Sequence, residues 1–384
     1  MDARSDKTRV LVIDDSVVAR RMVARVIDDT EDLRVEATAA NGRIGIAKLN
    51  IRAFDAVVLD VEMPELDGLE TLAEIRRGHP DLPVIMFSSL TRHGAETTLD
   101  ALSRGANDYV TKPTADAEGG AEAHIASELV PRIRALCSAR TARASGEPKA
   151  RVAGAVNADL PIPSAARLTA ASPQPRSTRP PRNVSAIGIG ASTGGPEALA
   201  RLLARIPKDL PVPVFIVQHM PPIFTHLLAE RLDGVSRLQV VEARDGMAVR
   251  PGHAFVAPGD YHMFVRADGP REVIGLTQGP QENSCRPAVD VLFRSLASMY
   301  GSRVIAAVLT GMGKDGLEGS RQLVKAGARV MVQDQSSSVV WGMPGFVARA
   351  ELAELVAPPE ALGDVLARAT AGNKSAAEAE RATP

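Results

Sequence analysis

Asp14-Asp15, Asp60 and Lys112 share a position: each lies at or just past the end of a short apolar run, Val10-Leu11-Val12-Ile13, Val57-Val58-Leu59 or Tyr109-Val110. If those runs are parallel strands, their carboxyl ends bring three carboxylates and an ammonium to one sheet edge. Oxygen donors of that kind suit a hard cation such as Mg²⁺. A cation and a lysine together can neutralise an incoming phosphoryl group while a carboxylate acts as nucleophile. Ser88, which ends Ile85-Met86-Phe87, is placed to hydrogen-bond a phosphoryl oxygen.

A second set of residues follows the same logic with different chemistry. Ile187-Gly188-Ile189-Gly190 leads into Ala191-Ser192-Thr193-Gly194-Gly195-Pro196, a strand running through a glycine turn into a helix opened by proline. A dinucleotide site is one reading of such a turn. The spacing Gly188, Gly190, Gly194 departs from the G-x-G-x-x-G fingerprint, and the next apolar run ends in Gln218-His219 rather than in an acidic residue for a ribose. Acyl transfer fits better. Ser192 sits at a helix N-terminus whose amides and dipole can stabilise an oxyanion, and His219 can take the serine proton. A third run, Val304 to Leu309, ends in Thr310-Gly311-Met312-Gly313-Lys314-Asp315-Gly316, and Asp315 can orient the histidine. His262 is the rival base, because it too lies near a strand end.

The elements that must hold these residues alternate in both halves. Val18, Met22, Val26 and Ile27 repeat at helical spacing after the first run, as do Leu199, Leu202, Leu203 and Ile206 between the runs Ser185 to Ile189 and Val212 to Val217. The alternation predicts an α/β protein of two doubly wound parallel-sheet domains, spanning 8–138 and 183–370. Between them, 139–182 is rich in proline, alanine and arginine and reads as a flexible, basic linker, long enough to separate its ends by about 35 Å. Residues 371–384 read as a disordered tail. A chain of 384 residues has room for two such domains.

Composition narrows the function. With only 3% aromatics, the cores must be built from Val, Leu, Ile and Ala. The net charge of −1 argues against a nucleic-acid or membrane partner engaged by bulk charge. Cys137 and Cys285 cannot build a disulfide framework and fit a reducing cytoplasm. The polar start lacks the apolar stretch of a signal peptide, and no apolar run is long enough to span a bilayer, so any membrane connection must run through a partner.

Over Thr8 to Ala135 the chain resembles the response-regulator receiver family, through Leu11-Val12-Ile13-Asp14-Asp15-Ser16, Leu59-Asp60-Val61-Glu62-Met63-Pro64-Glu65-Leu66-Asp67-Gly68-Leu69 and Tyr109-Val110-Thr111-Lys112-Pro113. The resemblance implies a flavodoxin-like fold, Asp60 as phosphoacceptor, Asp14, Asp15 and Asp60 around Mg²⁺, Ser88 and Tyr109 as switch residues and Lys112 as phosphate partner. Over Val184 to Arg368 it resembles the chemotaxis protein-glutamate methylesterase (CheB) family. That likeness rests on Gly190 to Pro196, Val217-Gln218-His219-Met220-Pro221, Ala257-Pro258-Gly259, Arg286-Pro287-Ala288-Val289-Asp290-Val291-Leu292-Phe293 and Leu309 to Gly316. It implies a Rossmann-like esterase needing no cofactor, with Ser192 as nucleophile, His219 as base, Asp315 as its partner, and Thr193, Gly194 and Met312 lining the site. The partners implied are methyl-accepting chemoreceptors and the chemotaxis histidine kinase, with the protein a cytoplasmic monomer whose unphosphorylated receiver covers the esterase cleft. Two other readings are a response regulator whose second half only binds a ligand, distinguished by having no hydrolysis to lose in Ser192→Ala, and a DNA-binding regulator, for which no helix-turn-helix pattern or basic recognition stretch is present.

Overall fold

The computed structural model describes residues 7–113, 119–145 and 184–381. The first domain runs β1 (Thr8–Ile13), α1 (Val17–Asp28), β2 (Leu33–Ala39), α2 (Gly42–Ile51), β3 (Ala56–Asp60), α3 (Gly68–Gly78), β4 (Val84–Ser88), α4 (Arg92–Ser103), β5 (Asp108–Thr111) and α5 (Ala121–Ser145). All pairings are parallel, in the order β2-β1-β3-β4-β5. The central strands are buried on both faces, which is why they read as unbroken apolar runs. Each buried Val, Leu or Ile there contributes about 1.5–3 kcal/mol. Asp67 and Glu70 close a capping box at the start of α3, which turns the chain sharply away from the Asp60 strand end.

The second domain runs β6 (Ala186–Ala191), α6 (Gly195–Leu203), β7 (Val214–Gln218), α7 (Phe224–Val235), β8 (Gln239–Glu242), β9 (His253–Val256), β10 (His262–Asp268), β11 (Arg271–Thr277), α8 (Val289–Tyr300), β12 (Val304–Val308), α9 (Leu317–Lys325), β13 (Arg329–Gln333), α10 (Met343–Arg349), β14 (Leu355–Ala357) and α11 (Pro359–Arg381). Seven strands pair in parallel in the order β14-β13-β12-β6-β7-β9-β8. The glycines of β6 serve close packing: a Cβ on Gly188 would lie 2.7 Å from Leu296 Cδ1, and one on Gly190 2.4 Å from Val289 Cγ1. Their absence of side chain lets α8 lie directly on the middle strand.

The structure differs from the sequence reading at three places. β10 and β11 form an antiparallel hairpin outside the main sheet, joined through Gly269 at positive φ and burying Met263, Val265, Val273 and Ile274. The α5 helix continues past residue 138 to Ser145, because Ala139, Arg140, Ala142 and Arg143 are good helix formers; the remainder of the expected linker lies outside the described residues. Likewise α11 extends to Arg381, through alanine-, glutamate- and lysine-containing sequence expected to be disordered. Among the described residues no helix is long and apolar enough to cross a membrane.

Candidate functional site

At the carboxyl edge of the first sheet, Asp14, Asp15 and Asp60 each offer an oxygen within 4.8 Å of the others. Lys112 Nζ lies 2.8 Å from Asp60 Oδ2 and 3.3 Å from Asp14 Oδ2, and apart from that ammonium neither buried oxygen has a partner among the described residues. Burial and the Asp14 charge hold Asp60 up to about 6, against the pull of Lys112. Burial alone would lower Lys112, but the Asp60 and Asp14 carboxylates raise it. A crowded, under-neutralised acidic pocket with orphaned oxygens fits a divalent cation. Ser88, fully buried, is turned onto α4: Thr98 Oγ1 donates to Ser88 Oγ (2.7 Å), which donates to the Gly94 carbonyl (3.1 Å).

In the second domain, β12, β6 and β7 lie side by side, so Asp315, Ser192 and His219 stand past the carboxyl ends of three neighbouring strands; His219 meets Asp315, and no hydrogen bond joins it to Ser192 among the described residues. Gly194, at φ +76°, makes the tight turn that starts α6 immediately after Ser192. The amides of Thr193 and Gly194 have no hydrogen-bond partner among the described residues, and Gly311, beside Met312, abuts Ser192, where a Cβ would lie 2.8 Å from the serine Cβ. Gln218 Nε2 donates to the Ser192 carbonyl at 2.9 Å, tying the turn to the end of β7.

Asp315 is 2% exposed and held by five groups, one of them the Gly316 amide at 2.9 Å. The amides of Val289 and Asp290, at the N-terminus of α8, donate to its two oxygens at 2.6 and 3.0 Å, Asn283 Nδ2 donates at 3.0 Å, and His219 Nε2 lies 2.8 Å from Oδ2. Burial would raise this carboxyl, but the His219 bond and charge and the helix amides hold it below its ordinary value. A carboxylate can only accept, so it fixes the proton of a neutral His219 on Nε2 and leaves the lone pair on Nδ1. Cys285 Sγ sits 3.5 Å from that Nδ1. Burial alone would lower His219, but Cys285 and Asp315 outweigh it and hold the ring up to about 10. His262 is otherwise engaged: its Nε2 donates to the Pro280 carbonyl at 2.9 Å and its Nδ1 accepts from the Ala288 amide at 3.2 Å. Both nitrogens are spent in the scaffold, and His262 is 2% exposed, so it offers no base.

The two domains meet beside these residues. Thr193 Oγ1 donates to Asp108 Oδ2 at 2.6 Å, and Asp108 pairs with Arg132 at 3.2 Å. Burial raises Asp108 despite Arg132 and Thr193. The Tyr109 ring stacks on Phe224 at the start of α7, with centroids 4.7 Å apart. Arg231 pairs with Asp100 at 2.8 Å, Arg143 donates to the Ser338 carbonyl, and Met312, Val339 and Val340 pack against the apolar cluster of the first domain. Sequence reasoning missed Asn283, Cys285 and Asp108. Asn283 and Ser284 are left-handed, which Asn-Ser alone does not announce, and nothing local points Asp108 across a domain boundary.

An acidic phosphate-type pocket on one parallel sheet, and a serine beside a His–Asp pair on another, define a response regulator fused to a hydrolase domain. The family model for CheB methylesterase matches residues 187–366, and that for the response regulator receiver domain matches 10–122. The protein-glutamate methylesterase/protein-glutamine glutaminase of Trichodesmium erythraeum (strain IMS101) is 43% identical over 363 residues, covering 94% of this chain and 99% of that protein. The protein of the same name from Nocardioides sp. (strain ATCC BAA-499 / JS614) is 46% identical over 363 residues, covering 94% of each. The crystal structure of the Thermotoga maritima CheB methylesterase catalytic domain is 40% identical, covering 48% of this chain and 98% of that one, with a TM-score of 0.47. The chain belongs to the CheB methylesterase family, with a receiver domain ahead of the methylesterase domain.

Proposed function

We propose that this protein hydrolyses glutamate γ-methyl esters on methyl-accepting chemoreceptors, deamidates glutamine there, and is switched on by phosphorylation of Asp60. The observation that carries the hydrolytic half is the 2.8 Å contact between His219 Nε2 and a buried Asp315 anchored by backbone amides and Asn283, one strand away from Ser192. Ser192 Oγ attacks the ester carbonyl while His219 takes its proton at Nδ1, the nitrogen that Asp315 leaves free. The amides around Thr193, Gly194 and Met312 receive the oxyanion. Methanol leaves, carrying a proton from His219. Water, deprotonated by the same nitrogen, then releases the glutamate carboxylate. A glutamine side chain passes through an equivalent tetrahedral oxyanion and loses ammonia instead.

The receiver supplies control. Asp14, Asp15 and Asp60 would hold Mg²⁺, which neutralises phosphoryl charge at Asp60; Lys112 lies within reach of the same oxygens. The chemotaxis histidine kinase is the phosphodonor in this reading, and the protein acts in the cytoplasm as a monomer. Ser88 leaves α4 for the phosphoryl group, Tyr109 follows, and the contacts of β5 with Thr193 and Phe224 are lost. This works only if phosphate favours the undocked state by real differential free energy. The test is methanol release from methylated receptor membranes. Ser192→Ala should lower it by at least about 10³-fold, and a phosphodonor with Mg²⁺ should raise it in the wild type only. Release that survives Ser192→Ala overturns the nucleophile assignment.

A further inference from the structure

The side of His219 that faces away from Asp315 does not meet the nucleophile; no hydrogen bond joins it to Ser192 among the described residues, and Cys285 stands there instead. Its placement is specific. Glu282 and Cys285 exchange both backbone hydrogen bonds, at 3.1 and 2.9 Å, around Asn283 and Ser284 at φ +52° and +60°. That is a two-residue turn of the kind that needs both central residues left-handed. Its outer flank is tied down by the Glu282–Arg294 ion pair and its inner flank by Asn283, whose amide donates to both Asp290 (2.9 Å) and Asp315 (3.0 Å). One turn therefore grips the carboxylate with its second residue and the imidazole with its fourth.

We propose that Cys285 is a positioning residue that competes with Ser192 for the Nδ1 lone pair of His219 and so sets how readily the base is free. The inference rests on the Ser192–His219–Asp315 reading. With the Nε2 proton fixed on Asp315, the thiol 3.5 Å from Nδ1 transfers its proton there: the S–H bond breaks, an N–H bond forms, and the electron pair stays on sulfur. The lone pair is then spent, and the ring is an imidazolium that cannot accept from Ser192. The other charged groups on this side are Asp315 on the β12–α9 loop, Asp290 on α8, which shares the Asn283 amide with Asp315, and the Glu282–Arg294 pair at the base of the turn. All of these stay in place when Cys285 alone is changed.

The experiment is the pH dependence of kcat/KM for methanol release by the full-length chain, with phosphodonor and Mg²⁺, in wild type, Cys285→Ala and Cys285→Ser. Alanine has no proton to share, and a serine hydroxyl does not surrender its own. Both variants should move the acid limb to lower pH by about one unit or more, a gain of about tenfold at pH values below the wild-type limb. Histidine ¹³C NMR of the same proteins reads the His219 midpoint without turnover and should move in the same direction. Limbs and midpoints that coincide with wild type overturn the inference, as does a uniform loss of rate with the limb unmoved. Ser192→Ala run alongside separates the two levels: if it still releases methanol, the triad reading itself fails.

Discussion

Removing the Thr193 hydroxyl should convert the receiver from a cover into a bystander. That hydroxyl makes one hydrogen bond, 2.6 Å to Asp108 Oδ2 across the domain contact, and Thr193 is 4% exposed. Thr193→Val keeps the β-branched shape and the backbone amide next to Ser192, and deletes only the donor. Undocking returns both groups to water, where each finds another partner, so only the net value of the bond favours the docked state. A hydrogen bond to a charged acceptor contributes about 1.5–3 kcal/mol, which is about 10- to 150-fold in the docking equilibrium. The basal rate of methanol release, without phosphodonor, should rise by up to that factor, capped by the phosphorylated rate, while the phosphorylated rate itself stays put. An unchanged basal rate would show that the bond does not discriminate between docked and undocked states. An equal gain in both rates would place the hydroxyl in the chemistry instead of the latch.

Asp60 gives a stability prediction with a defined sign. Its folded value of about 6 lies above the ordinary 3.8, so its contribution is full below about 3.8 and is lost as pH rises through 6, amounting to about 3 kcal/mol of destabilisation at higher pH. Asp60→Asn cannot ionise; without divalent cation it should resist urea better than wild type at pH 7.5, with the gap closing towards pH 5, and a gap independent of pH would contradict the cause given. Chelation of divalent cations should abolish activation by phosphodonor and leave basal methanol release unchanged, since the esterase residues include no metal-ligand cluster among those described; a fall in basal release would mean the cation reaches the second domain.

Much of the site was legible because parallel sheets deliver strand-end residues to one edge. Ser192, His219, Asp60 and Lys112 all lie at or just past the ends of apolar runs, and the family-like motifs around them gave each its expected role. Asp315 lies several residues past its strand, and what fixes it there, the α8 amides, comes from a helix whose apolar sequence gave no hint of that task. Cys285 and Asn283 belong to a turn whose effect depends on left-handed backbone, a signal too weak to read from Asn-Ser alone. The hairpin of β10 and β11 escaped because its apolar stretches, Met263-Phe264-Val265 and Val273-Ile274, are short and run straight into exposed charged residues. Asp108 and Phe224 escaped for a different reason: nothing in either domain's own pattern encodes which surface the other will press against.

The contact between β6 and α8 fixes where this sequence can drift. Because Gly188 and Gly190 leave no gap beneath Leu296 and Val289, even one methyl group on the strand would lift the helix, and the helix carries the amides that seat Asp315. A mutation at Gly190 would thus be felt at the histidine without touching it, and repair would require a smaller residue on the helix in the same lineage. The edge strands β8 and β14 bear no such debt. Insertions and fusions belong at those margins, where the sheet can grow without moving the three strands that hold the serine, the histidine and the aspartate in register.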